Sequence, residues 1–130
     1  MKVGVVDYGM DNLFSVISAL EMVGADVKIC QVPDSLKDVD RILLPGVGAF
    51  KDCIDTIIRK GFKDALTREV IEAGKPIYGI CLGMQIMGGR SSEFGKHKGL
   101  GWIEGDVIRL KPDSQNLRVP HVGWNDVNYS

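Results

Sequence analysis

An α/β domain with a doubly wound, mostly parallel sheet is expected from three features of the chain. Short apolar or β-branched runs alternate with segments of helical apolar spacing. One of those runs, Arg41 to Leu44, is apolar almost throughout, as a strand buried on both faces is, and a second, Ile77 to Ile80, leads into Cys81. Glycine-rich turns follow both, at the edge where open parallel sheets bind ligands.

Composition narrows the range of functions. The 130 residues are 45% hydrophobic and 25% charged, which suits one globular domain over 1–130 with a single core. Sixteen basic residues are spread among seventeen acidic ones for a net charge of -1, so no nucleic-acid partner is expected. The N-terminus reaches Asp7 within seven residues and no run is long enough to span a bilayer, so a cytoplasmic protein without membrane association is expected. Cys30, Cys53 and Cys81 are odd in number and lack metal-ligand spacing, which predicts reduced thiols, no disulfide framework and no metal. Nothing in the chain calls for a cofactor.

Taken in order, Lys2 to Val6 reads as a strand, and Tyr8-Gly9-Met10-Asp11-Asn12 as a turn closed by an N-cap. Leu13, Val16, Ile17, Leu20 and Val23 then mark a helix that Gly24 stops. Asp26 to Val32 reads as a second strand with Cys30 buried in it, and Pro33 to Asp40 as a polar connection. After the Arg41 to Leu44 strand, Phe50, Cys53, Ile54, Ile57 and Ile58 outline a helix that buries Cys53, and Phe62 to Ala73 another, closed by Gly74 and Pro76. Beyond Ile80 a short helix through Met87 ends at Gly88-Gly89, and Arg90 to Lys98 is a polar loop. Leu100 to Leu110 and Val119 to Val127 suggest further short strands, interrupted by Lys111-Pro112-Asp113-Ser114.

The best candidate for chemistry is Gly79-Ile80-Cys81-Leu82-Gly83-Met84-Gln85. A strand that runs straight into a helix turns sharply, and flanking small residues let the central side chain project. Cys81 then sits at a helix N-terminus, which favours the thiolate. The competing reading is a buried structural cysteine. An acyl-transfer site also needs two donors aimed at a developing oxyanion. The Leu82 N–H is one candidate, and the Gly46-Val47-Gly48 turn, at the same sheet edge, is the other. That turn read alone is equally a plain strand-to-helix connection. Of the two histidines, His97 lies between lysines in a polar loop, and His121 lies in Val119-Pro120-His121-Val122-Gly123-Trp124-Asn125, which reads as a binding surface or an ordinary turn. Neither is closely followed by an acid that would orient it as a base.

Four segments carry a resemblance: Asp7-Tyr8-Gly9-Met10-Asp11-Asn12-Leu13, Leu44-Pro45-Gly46-Val47-Gly48, the Gly79 to Gln85 elbow, and Pro120-His121-Val122-Gly123-Trp124-Asn125. With them the chain resembles the glutaminase subunits of imidazole glycerol phosphate synthases, class I (triad-type) glutamine amidotransferases of flavodoxin-like fold. The resemblance implies that Cys81 attacks the side-chain amide of L-glutamine and that Leu82 with Gly46, Val47 and Gly48 forms the oxyanion hole, the Val47 amide rotating into place. It implies that Gln85 and Gly83 help hold the substrate. Tyr8, Met10, Asn12, His121, Trp124 and Asn125 would face a barrel-shaped synthase partner that receives the ammonia for histidine biosynthesis.

The chain departs from that pattern twice. Asp11 stands where the family usually has glycine, and the family's base and orienting acid lie in a His-Pro-Glu segment downstream of Trp124 that does not occur before Ser130. The expectation is therefore an incomplete domain, inactive alone and with an unpaired sheet edge. Two alternatives remain: the same chemistry feeding amidation of a nucleotide-linked sugar, and a non-catalytic fragment that binds a partner. A cysteine hydrolase or redox sensor sharing the elbow is a third reading, disfavoured by the flanking motifs.

Overall fold

The central strands carry apolar side chains on both sides, so helices must cover both faces of the sheet they form. A computed structural model, which describes residues 1–9, 12–112 and 118–128, has that arrangement. Strands β1 (Lys2–Val6), β2 (Asp26–Cys30), β3 (Arg41–Leu44) and β4 (Ile77–Gly79) form a sheet of order β2-β1-β3-β4 in which every pair is parallel. Val3 and Val5 of β1 and Leu43 of β3 pack with Leu13, Val16, Ile17 and Leu20 of α1 (Leu13–Met22). Val6, Ile42 and Leu44 belong to the opposite core, with Phe50 and Ile57 of α2 (Phe50–Arg59) and Phe62 and Leu66 of α3 (Phe62–Leu66). Cys30 and Cys53 are buried in this second core, as their places in the pattern predict.

This strand order decides where a site can form. The chain leaves β1 toward β2 on one side, and β3 leads to β4 on the other, so connections diverge between β1 and β3. Because the strands are parallel, the turns after β1, β3 and β4 open at one carboxyl edge. The α1 face is less completely covered. None of the helix's residues is fully buried, Tyr78 of β4 is 68% exposed, and an apolar groove of about 610 Å³ runs between them.

Several elements differ from expectation. Pro33–Asp38 is a 3₁₀ turn rather than a featureless connection, because Leu36 within it is drawn into the core. The expected Phe62 to Ala73 helix changes at Thr67 into a wider π turn, Thr67–Glu72, closed by the Ala73 N–H on the Arg68 carbonyl. The helix after Cys81, α4 (Leu82–Gln85), is a single turn. Gly88 and Gly89 do not end it; they open β5 (Gly88–Ser91). The presumed polar loop is largely a hairpin from β5 to β6 (His97–Lys98), and β7 (Ile103–Val107) is shorter than the run that predicted it. These three strands make a separate sheet of order β6-β5-β7. No regular strand occupies the described residues 118–128, where Pro120 interrupts the apolar pattern and the side chains are exposed. The predicted turn residues Met10, Asp11, Asp113 and Ser114 lie outside the described residues.

The π turn turns one acid inward. Glu69 is 7% exposed, and its carboxylate pairs with the Lys75 ammonium and the Arg68 guanidinium, both at 3.0 Å. Lys75 also donates to the Leu36 and Lys37 carbonyls, so one ammonium ties the π turn to the 3₁₀ turn. The hydrogen bond from Lys75 holds the Glu69 carboxyl below its ordinary value of 4.5, with Arg68 adding to the effect and burial opposing it. The Arg68 and Lys75 side chains that pair with it are 43% and 19% exposed, so water still screens the pairs. A depressed carboxyl stabilises the fold above its unfolded-state value and loses that contribution as pH falls through the folded-state value. Glu69→Gln is therefore expected to destabilise the chain by roughly 1 kcal/mol near neutrality. Urea denaturation at pH 7 and at pH 3 should show the difference from wild type shrinking at the lower pH.

Candidate functional site

The site forms where β4 turns back on itself. Ile80 extends the sheet pairing by donating its N–H to the Leu44 carbonyl at 3.0 Å, and the next residue, Cys81, has φ 53° and ψ -114°. A non-glycine residue with that backbone costs roughly 1–3 kcal/mol and persists only where its surroundings enforce it. Here the enforcement is visible: the Met84 and Gln85 N–H groups donate to the Cys81 carbonyl, and the Gly83 N–H donates to that of Ile80. The result is an exposed thiol at the crest of a strand-to-helix elbow. Leu82, the first residue of α4, carries an N–H with no acceptor inside the helix. The one-turn length of α4 limits the field its aligned peptides place on the thiol.

The two glycine-rich turns lie side by side. A Cβ at Gly83 would stand 1.9 Å from the Leu44 carbonyl oxygen, and one at Gly46 would stand 2.5 Å from the Gly83 nitrogen. Backbone therefore packs on backbone, with Gly46 and Gly83 both buried. Past this contact the chain emerges: Val47 is 39% exposed, and Gly48 is exposed with φ 94°. Gln85 is half-buried one turn beyond the thiol.

Both ends of the Pro45 to Phe50 connection are tethered by side chains that sequence patterns did not single out for this role. At the start, the Tyr8 hydroxyl donates to the Pro45 carbonyl at 2.8 Å and lies 3.1 Å from the Cys53 sulfur. At the end, the Phe50 N–H donates to the Glu93 carboxylate at 2.8 Å, and Glu93 is itself placed by its N–H on Ser91 Oγ. The sequence holds one indirect sign of the second tether. Helix α2 begins at Ala49-Phe50 with no local capping side chain, so its first N–H groups need an acceptor from elsewhere.

Tyr8 is the one expected surface residue whose placement is reversed. Its side chain is fully buried, so it is not available to face a partner. Burial, followed by the neighbouring Cys53 thiol, raises its phenol well above the usual range and keeps it protonated. Burial likewise pushes the Cys53 thiol up. Asn12 is exposed at the start of α1 with φ 79°, and its side-chain oxygen accepts from Ser15 Oγ. His121, Trp124 and Asn125 are exposed, and Met10 lies outside the described residues. His97 Nε2 lies 3.4 Å from the Phe94 carbonyl and His121 Nε2 lies 3.4 Å from Asn125 Nδ2; neither is hydrogen-bonded to Cys81.

A family model described as glutamine amidotransferase class-I matches residues 4–126. The chain belongs to that family. Among curated relatives of this amidotransferase chain, an "Imidazole glycerol phosphate synthase subunit HisH" from Syntrophotalea carbinolica is 44% identical over 95% of the chain and 62% of the relative. Proteins of the same description from Bacillus licheniformis and Bacillus subtilis are 46% and 42% identical, over 59% and 61% of their own lengths. The chain thus spans about three-fifths of the curated relatives it matches. Among solved structures, a glutamine amidotransferase aligns with a TM-score of 0.70 at 22% identity, over 87% of this chain and 59% of that one. A putative peptidase E from Listeria monocytogenes aligns with a TM-score of 0.56 at the same identity, over 68% of this chain and 50% of that one. These two likenesses bear on the α/β fold alone.

The contact between the turns makes Gly83 the most constrained position of the site. Gly83→Ala is expected to destabilise the protein by at least roughly 1–3 kcal/mol, since the neighbour it strikes is backbone and cannot swing aside. Thermal denaturation checks this: an unchanged melting temperature would mean that the two turns separate freely.

Proposed function

We propose that this amidotransferase chain carries the nucleophile and oxyanion turn of a site that hydrolyses L-glutamine and delivers the ammonia to a synthase partner. The observation that carries the reading is the exposed Cys81 thiol on a strained elbow packed directly against the Gly46-Val47-Gly48 turn. In this reading the Cys81 thiolate adds to the side-chain carbonyl carbon of glutamine. The Leu82 N–H and an N–H of the glycine turn receive the oxyanion, the Val47 peptide rotating to present its donor. A general base takes the thiol proton and returns it to the departing nitrogen, so ammonia leaves and a glutamyl thioester remains. Water then attacks the thioester, releasing glutamate and restoring the thiol. Neither histidine is hydrogen-bonded to Cys81, and the reading assigns the base to neither. Gln85 and Gly83 hold the substrate beside the thiol.

The ammonia acceptor is read from the relatives. Their shared description as imidazole glycerol phosphate synthase subunits favours a histidine precursor over a nucleotide-linked sugar. A barrel-shaped synthase subunit would dock on the exposed Asn12 and on the exposed surface of His121, Trp124 and Asn125. Trp124 and Val122, both almost wholly exposed, give that surface the apolar content an interface core needs. The described residues contain no helix long and apolar enough to cross a membrane, and a biosynthetic role in the cytoplasm accords with the reduced thiols.

The test uses the chloroketone analogue of L-glutamine, in which CH₂Cl replaces the amide NH₂. Mass spectrometry should find one adduct, on Cys81, formed more slowly when L-glutamine is added and absent in Cys81→Ser. Labelling that ignores glutamine, or that falls equally on other nucleophiles, would favour a non-catalytic binding module instead.

A further inference from the structure

The Tyr8 hydroxyl is buried, neutral and engaged, yet the reaction described above makes no use of it. Its hydrogen bonds can be assigned by counting protons. The phenol has one, and it donates to the Pro45 carbonyl, which offers only an acceptor. The contact with Cys53 must then run the other way, the S–H donating to the phenol oxygen. The chain Cys53 to Tyr8 to Pro45 is therefore directional, and it ends on the peptide that opens the glycine turn.

That peptide is a pivot. The Pro45 carbonyl and the Gly46 N–H belong to one rigid plane, so fixing the first fixes the second. Gly46 is the residue whose backbone touches Gly83, and Val47 follows it. With Phe50 held by Glu93 at the far end, rotation in the connection is confined to the residues between the two tethers. We propose that Tyr8 is a positioning residue for the oxyanion turn: its hydroxyl fixes the Pro45–Gly46 peptide and so sets where the Gly46-Val47-Gly48 turn can present a donor to Cys81. The inference rests on the glutaminase reading and assigns no contact between Tyr8 and substrate. It also replaces the expected place of Tyr8 on the partner-facing surface with one inside the core.

Two alkylating agents separate positioning from simple stability. The glutamine chloroketone passes through a tetrahedral adduct whose oxyanion needs the turn, whereas iodoacetamide alkylates the thiol by direct displacement and forms no oxyanion. The chloroketone's rate at saturation, which removes the contribution of substrate binding, divided by the iodoacetamide rate at Cys81 therefore reads the oxyanion donors. In Tyr8→Phe the ratio is expected to fall roughly 10- to 100-fold, the range of a misplaced or lost oxyanion donor. Placing 4-aminophenylalanine at position 8, which restores an N–H donor in the same space, should recover it. Cys53→Ala perturbs the same core but leaves the bond to Pro45, so its melting temperature should drop while the ratio holds. Should the Phe variant fail to fold, 4-fluorophenylalanine at position 8 fills the volume without a donor and takes its place in the comparison.

The outcomes are distinct. A wild-type ratio in the donor-free variants overturns the role of Tyr8 and leaves the glutaminase reading standing. An equal loss in Cys53→Ala also overturns it, since the effect would then follow packing. A wild-type protein whose Cys81 shows no preference for the glutamine chloroketone overturns the glutaminase reading and this inference with it.

Discussion

Backbone packed on backbone, where Gly46 meets Gly83, is the contact on which the rest of the site depends. Parallel strands β3 and β4 end side by side, and each must turn away from the sheet within a few residues. Only residues without side chains let the two turns occupy the same space, as the 1.9 Å and 2.5 Å clearances for added Cβ atoms show. The strained backbone of Cys81 follows from this crowding: α4 is pressed against the end of β3, and the residue before it absorbs the sharp change of direction. The exposed thiol is thus a consequence of how two strand ends are packed.

Around that contact, the stiffness of the edge is unevenly distributed. Pro45 and Phe50 are tied to a buried phenol and to a carboxylate in the turn between β5 and β6, and Gly46 is wedged against the elbow, while Val47 and Gly48 stand in solvent. A segment fixed at its ends and free in its middle can change one peptide's orientation without disturbing the core. The small sheet of β5, β6 and β7 contributes to this through Glu93, so it is a working part of the edge.

Much of this was legible in the residues. The β-branched and apolar runs marked β1, β3 and β4, glycine marked the end of α1, and the two turns were expected at one edge because parallel strands leave no other place for them. What escaped was set by contacts distant in sequence. Gly88 and Gly89 resemble a helix stop, but pairing with Ile103 to Val107 makes them strand residues. Tyr8 sits in a turn of polar composition, and only the arrival of α2 from across the core shows that its ring is inside. Glu93 resembles any surface acid until α2 is found to start without a cap. Val119 to Val127 misled in the other direction, since residues of strand-like composition found no partner strand among the described residues.

The cysteines show what this distribution of burial means in practice. Cys30 and Cys53 are wholly enclosed, and the S–H of Cys53 is committed to a phenol, while Cys81 alone meets solvent. The folded chain therefore carries a single addressable thiol without any cysteine having been removed. A fluorophore or spin label attached there would sit at the seam between the two turns, and its mobility would report directly on the motion of the edge.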